Sequence, residues 1–170
     1  MTHLIRTTAL AACIALVSQG AFAAVDDNFV EDASAKGVAE VEAGKLAQEK
    51  GTSSDVKTFA DMMVRDHTEA NTKLKALADS KKLEVSDNQM LMDKAKSMIL
   101  ELRSAKSFDQ AYANNQVKAH EATIKLFEEE AADGKDVELK AFATQTLPKL
   151  KHHLTEAQAL AKKHGGDAAQ

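Results

Sequence analysis

Apolar residues recur at steps of three and four through most of the chain, and polar residues fill the positions between them. This spacing is typical of amphipathic α-helices that bury one face. Four long stretches carry it, at about 28–50, 53–80, 107–132 and 136–164, and a shorter one covers about 86–103. The pattern therefore predicts five helices and no strand.

Short polar residues that can cap a first turn stand at the start of the four long stretches: Asn28, Ser53, Ser107 and Asp136. The connection from Lys81 to Lys106 is long enough to run from one end of the bundle to the other, because a helix rises about 1.5 Å per residue. The third long helix can then run parallel to the second. We predict an all-α four-helix bundle with a short helix in the crossover between the second and third long helices.

Composition supports this fold class and narrows the function. The 170 residues include one proline and seven glycines, too few for the turns of a sandwich or barrel. The net charge is −4 and the basic residues form no cluster, so we expect no nucleic-acid partner. A nucleophile paired with a base and a glycine-rich phosphate loop are both missing from the sequence, which therefore does not indicate an enzyme.

The first 23 residues read as a signal peptide. Arg6 precedes an apolar run over 7–17, and the segment ends in Ala21-Phe22-Ala23, the small-x-small pattern of a cleavage site. We expect cleavage near Ala23, a helical bundle over 24–164 and a disordered tail over 165–170. The mature protein is then periplasmic or secreted.

Lipidation at Cys13 is the alternative to this cleavage. Leu10-Ala11-Ala12-Cys13 resembles a lipoprotein box, but the apolar run continues past Cys13, which favours an ordinary signal peptide. No later segment has the roughly 18 uncharged apolar residues of a membrane span. Cleavage also removes the only cysteine, so thiolate metal sites are not expected.

Each long helix carries one residue on its apolar face that can bind a metal: Glu40, His67, His120 and His153. Their distances from the turns place all four near the middle of the bundle. Burying a carboxylate and three imidazoles is unfavourable unless they satisfy one another or coordinate an ion. Such donors suit Zn, Cu, Fe or Ni. We also expect Asp66 and Tyr112 to lie beside this site and support it.

Two metal-free interpretations remain open from the residues alone. Glu40 and the three histidines can form a buried hydrogen-bonded network that fixes the register of the helices in a structural or stress-related envelope protein. The small residues on the first helix also permit a cavity for an apolar ligand.

Several motifs resemble a secreted bacterial family of unknown function that is predicted to be ferritin-like and often labelled "predicted outer membrane protein". The resemblance rests on short blocks along the mature chain: Glu40 with Gly44-Lys45-Leu46-Ala47, Met63-Val64-Arg65-Asp66-His67, Phe108-Asp109 with Tyr112, Gln116-Val117 with His120, and Leu147-Pro148 with His153-Leu154. It implies a ferritin-like four-helix bundle in the bacterial envelope and no established activity.

The chain departs from the ligand pattern of ferritin-like di-iron proteins. Those sites use a glutamate from each of two helices and Glu-x-x-His from each of the others. The residues three positions before the histidines are instead Val64, Val117 and Leu150. Glu40 alone occupies the place of a carboxylate ligand.

Overall fold

A computed structural model of the protein describes residues 20–83, 88–104 and 107–166. These residues form five helices and contain no strand, which confirms the prediction of an all-α chain. The helices are α1 (Gly20–Lys50), α2 (Ser54–Lys81), α3 (Asn88–Ser104), α4 (Phe108–Asp133) and α5 (Val137–Lys163). In the part of the chain so described, no helix is both long and apolar enough to cross a membrane.

Both ends of the chain extend beyond the described residues. Residues 1–19 of the predicted leader and 167–170 of the predicted tail lie outside the described residues. Helix α1 begins at Gly20, earlier than the start predicted at Asn28, because no glycine or proline interrupts the segment between them. Gly166 N–H donates to the carbonyl of Ala161 at 2.7 Å and closes the end of α5.

The four long helices pack as a bundle. Helix α1 lies against α2 and α4, helix α5 lies against α2 and α4, and α3 covers α1. The apolar core falls into two clusters, one built around residues such as Met63, Val117 and Ala157 and the other around Leu74 and Ile124. A layer of buried polar residues lies between the two clusters.

Contacts at the helix ends fix the direction of each helix. The carboxylate of Asp109, at the start of α4, accepts hydrogen bonds from the N–H groups of Thr52 and Ser53, both at 2.9 Å. Helices α2 and α4 therefore begin at the same end and run parallel, as the long connection predicts. At the other end Lys81 pairs with Asp136 at 2.6 Å, so α5 runs antiparallel to α2.

The Asp109 carboxylate also accepts hydrogen bonds from both hydroxyl groups of Thr52 and Ser53, at 2.6 Å each. Burial raises the pKa of Asp109, but the hydrogen bonds from Ser53 and Thr52 together lower it more, so the pKa lies below its ordinary value. An acid with a lowered pKa stabilises the fold above its ordinary pKa, and this contribution is lost as the pH falls through the folded-state value.

We predict that Asp109→Asn lowers the free energy of unfolding by about 1–3 kcal/mol at pH 7, because the N–H and hydroxyl donors of Thr52 and Ser53 lose their charged acceptor. The difference from the wild type should begin to shrink below about pH 4, where the carboxyl group takes up a proton in the unfolded chain, and should be lost as the pH falls through the lower folded-state pKa. Urea denaturation at pH 7 and below about pH 4 measures the difference in unfolding free energy. Asp133→Asn, at an exposed position of the same helix, is the control. An Asp109→Asn protein as stable as the wild type at pH 7 contradicts the prediction.

Candidate metal centre

Three histidines from three helices meet in the polar layer of the bundle. His67 comes from α2, His120 from α4 and His153 from α5, and their exposed fractions are 5%, 1% and 1%. One ring nitrogen of each lies within 4.8 Å of the others, and the ring centroids are 5.4–5.5 Å apart. We call these three residues the histidine group.

Each member of the histidine group interrupts an apolar stripe at the junction between the two core clusters. His67 lies between Met63 and Leu74 on α2, which belong to different clusters. The other two histidines occupy equivalent positions on their helices. The 3.6-residue period therefore turns all three rings into the core at a similar height.

The protonation of His120 follows from its partners. Its Nδ1 lies 2.9 Å from the backbone oxygen of Gln116. A carbonyl oxygen only accepts hydrogen bonds, so Nδ1 carries the proton and, in the neutral ring, Nε2 carries the lone pair. That Nε2 is 3.4 Å from Nε2 of His67.

The protonation of His153 follows in the same way. Its Nε2 lies 3.0 Å from Oδ2 of Asp66, so Nε2–H donates to the carboxylate and the lone pair of the neutral ring is on Nδ1. Among the described residues, this Nδ1 is a buried atom with no hydrogen-bond partner. A buried acceptor without a partner is unfavourable unless a proton donor or a metal ion meets it.

Asp66 is held as a charged partner for His153. The guanidinium Nε of Arg65 donates to its Oδ1 at 2.8 Å, and the ammonium of Lys149 lies 3.7 Å from the same oxygen. Burial raises the pKa of Asp66, but the hydrogen bonds from Arg65 and His153 and the nearby positive charges lower it further. The expected support of the site by Asp66 thus takes the form of orienting one ring.

Burial keeps two of the imidazoles neutral. It lowers the pKa of His67 to about 3, with the neighbouring rings His120 and His153 adding to the effect. It lowers the pKa of His153 to about 4, although the hydrogen bond to Asp66 opposes the change. The neutral imidazole is the form that binds a metal ion.

Glu40 is linked to the histidine group through another residue and is not part of it. Its Oε2 accepts a hydrogen bond from Nε2 of Gln116 at 2.7 Å, and the backbone oxygen of Gln116 in turn holds His120. Burial raises the pKa of Glu40, while the charges of neighbouring groups and the Gln116 hydrogen bond oppose the rise. The sequence interpretation of Glu40 as a fourth ligand overlooked Gln116, which lies one turn before His120 on the same buried stripe.

Tyr112 lies one turn before Gln116 on the same buried stripe of α4. It is fully buried, its ring stacks on Phe108 with centroids 6.0 Å apart, and its hydroxyl has no hydrogen-bond partner among the described residues. Burial raises its pKa well above the ordinary value, and the charge of Glu40 adds to this. Tyr112 is therefore a neutral core residue near Glu40, and within the described residues its ring contacts Phe59 and Phe108, not the histidine group.

Comparison with known proteins identifies the family. Residues 11–160 match the family model described as "Domain of unknown function (DUF4142)". The chain belongs to this family. Neither the curated proteins nor the solved structures contain a significant match to the chain. The resemblance drawn from the motifs is confirmed as far as a family of unknown function, while the ferritin-like fold and the outer-membrane label stay predictions.

In this DUF4142 member the spacing of the nitrogens suits a metal ion. Two ligands of a tetrahedral zinc ion with Zn–N bonds of about 2.0–2.1 Å are separated by about 3.3–3.4 Å. The two Nε2 atoms of His67 and His120 are 3.4 Å apart. Three imidazoles are a donor set for Zn, Cu, Fe or Ni, so the histidine group can hold a transition-metal ion.

We predict that the lowered pKa of His67 makes the metal-free protein sensitive to acid. Below pH 6.5 the unfolded chain takes up a proton that the folded chain does not, so stability falls as the pH falls. In His67→Gln the slope of unfolding free energy against pH, measured between about pH 5.5 and 4.5, should fall by about 1.4 kcal/mol per pH unit. Urea denaturation with a chelator present measures it.

His152→Gln is the matched control, because His152 is exposed next to His153 on the same helix. It should leave the slope as it is in the wild type. Equal slopes for the wild type and His67→Gln would show that His67 takes up a proton in the folded state.

Proposed function

We propose that this protein binds one divalent transition-metal ion through His67, His120 and His153, with Zn, Cu, Fe or Ni as the candidates. The observation that carries the proposal is the buried Nδ1 of His153, which has a lone pair and no hydrogen-bond partner. One ring nitrogen of each of the three histidines lies within 4.8 Å of one from each of the others.

The count of protons favours a metal over a simple network. In their neutral forms three imidazoles carry three protons, and two of these are donated outward, to Gln116 and Asp66. Only one proton, on His67, is left for the lone pairs of His120 and His153. An ion satisfies all the lone pairs at once, and the two outward hydrogen bonds fix the rings in the orientation typical of metal-binding histidines.

A single ion fits better than a pair. Ferritin-like di-iron proteins carry a glutamate three positions before each histidine of the Glu-x-x-His motif. At those positions this chain has Val64, Val117 and Leu150. Of the two carboxylates beside the histidine group, Asp66 is bonded to His153 and Glu40 to Gln116. The ion would link three helices of the bundle, so its binding would be coupled to the stability of the fold, as metal binding or sensing requires.

The alternative is a metal-free structural role. The bond between Glu40 and Gln116 joins α1 to α4, and the bond between Asp66 and His153 joins α2 to α5. In that role the two bonds would fix the register of α1 against α4 and of α2 against α5. In that case the protein is a structural or stress-related envelope protein.

We also propose the ferritin-like four-helix bundle and the export of the protein. Two antiparallel pairs with parallel α2 and α4 support the former. The leader pattern ending at Ala23 supports the latter. The first residue whose side chain the structure describes is Asn28, so loss of residues 1–23 would remove none of the described side-chain contacts.

We predict that Zn²⁺ raises the melting temperature of untagged protein at neutral pH and that a chelator reverses the rise. A ligand that binds only the folded state adds about 2.7 kcal/mol of stability at 100 times its Kd. His120→Ala should abolish the metal-induced shift, while His152→Ala, at the exposed neighbouring position, should retain it. Thermal unfolding with Zn, Cu, Ni and Fe measures the effect.

The metal-free alternative has a different outcome. Melting would be indifferent to all four ions, and the protein purified without a tag would carry no stoichiometric metal. His120→Ala would still destabilise the fold by about 1–3 kcal/mol, because its hydrogen-bond partners are left unsatisfied. That combination of results rejects metal binding.

We predict that the mature protein begins at Ala24, because the apolar run ends at Ala21-Phe22-Ala23. Intact mass of the protein recovered from the cell envelope checks this. A lipid-modified Cys13 at the N-terminus would contradict both the cleavage position and the free periplasmic location.

A further inference from the structure

A small pocket borders two members of the histidine group. It has a volume of about 30 Å³, and His67 and His153 form part of its wall. A site of this kind needs about 10–15 Å³ to hold one water molecule, so the pocket has room for two or three non-hydrogen atoms. It is too small for the apolar ligand that the small residues of α1 permitted as an alternative interpretation of the sequence.

Small side chains and a glycine create this space. Ala33 and Gly37 of α1 line the pocket, and a methyl group on Gly37 would lie 1.9 Å from Oδ1 of Asn71. The lining reaches the surface at the exposed Lys149 and the half-buried Asn71. Solvent-sized molecules therefore have a route to the histidine group from one side of the bundle.

The polar atoms of the wall determine which hydrogen bonds a molecule in the pocket can make. The hydroxyl of Thr123 donates to the backbone oxygen of Ala119 at 2.8 Å, and the hydroxyl of Thr146 donates to that of Phe142 at 2.7 Å. Both hydroxyl protons are used within a helix, so the two oxygens remain as acceptors only. In the same wall, the amide of Asn71 and the ammonium of Lys149 can donate hydrogen bonds, so the pocket suits a small molecule such as water that both donates and accepts them.

We propose that the metal ion has a fourth, exchangeable coordination position that opens into this pocket and takes a water molecule. This inference rests on the proposed metal binding. A closed structural zinc site has four protein ligands, whereas sites that exchange ligands have three protein ligands and an open position. Here three imidazoles, a nearby pocket and a carboxylate held away by Gln116 match the second kind.

The experiment uses the full chain loaded with Cu²⁺ and water itself as the probe. Water exchanging on the ion shortens the relaxation time of solvent protons, so NMR relaxivity per bound Cu²⁺ reports the open position. Ala70→Leu fills the pocket from α2 and should remove the contribution of directly bound water without abolishing the copper-induced rise in melting temperature. Thr146→Ile fills it from α5 and provides an independent variant.

Each variant has a matched control outside the pocket. Ala131→Leu enlarges another half-buried alanine that packs on the same core cluster as Ala70. Thr144→Ile changes an exposed threonine of α5 that makes the same kind of backbone hydrogen bond as Thr146. Both controls should keep the relaxivity of the wild type.

The possible failures are distinguishable. If Cu²⁺ binds and raises the melting temperature, but the wild-type relaxivity is only that of a Cu²⁺ ion with no directly bound water, the open position is rejected and the metal site stands. Full wild-type relaxivity in both filled variants also rejects the pocket as the place of exchange. If no Cu²⁺ binds, the proposed function fails and this inference fails with it.

Discussion

Polar groups buried in the middle of an apolar bundle each need a partner, and this requirement governs the structure. The polar layer separates two hydrophobic clusters that pack without specific direction. Hydrogen bonds are directional, and those of this layer form only at one height of each helix relative to its neighbour. Gln116 of α4 donates a hydrogen bond to Glu40 of α1, and His153 of α5 donates one to Asp66 of α2. Apolar packing supplies the driving force for the bundle, and the polar layer selects its register.

The same hydrogen bonds prepare the candidate chemistry. The two outward N–H groups of His120 and His153 are occupied by a backbone oxygen and a carboxylate, so the opposite nitrogens keep their lone pairs. Burial lowers the pKa of His67 and His153 far enough to keep both rings neutral at physiological pH. Lone pairs that could bind a metal ion are thereby buried in a core with too few protons to satisfy them all. Structural register and the proposed metal binding thus depend on one set of contacts.

Small residues shape the surroundings of the histidine group. Ala33 and Gly37 bring α1 close to its neighbours while leaving free volume beside His67 and His153. Asn71 occupies the space that a side chain at position 37 would need. The small face of α1 therefore has a local effect, which is a water-sized pocket and not a large apolar cavity. Access of small molecules and exclusion of larger ones follow from the same packing.

The sequence by itself determined the helices, their buried faces and the direction of the crossover, because these depend on local periodicity and on connection length. It placed His67, His120 and His153 on core faces and His152 outside, since neighbouring positions on a helix differ by about 100°. It placed Glu40 in the same layer but could not assign its partner. Only the tertiary structure decided that Gln116 donates a hydrogen bond to Glu40 and that Asp66 accepts one from Nε2 of His153. It also decided that Nδ1 of His153 has no partner among the described residues. Those outcomes depend on rotamers and on ångström-scale offsets between helices far apart in sequence, which helical periodicity does not encode.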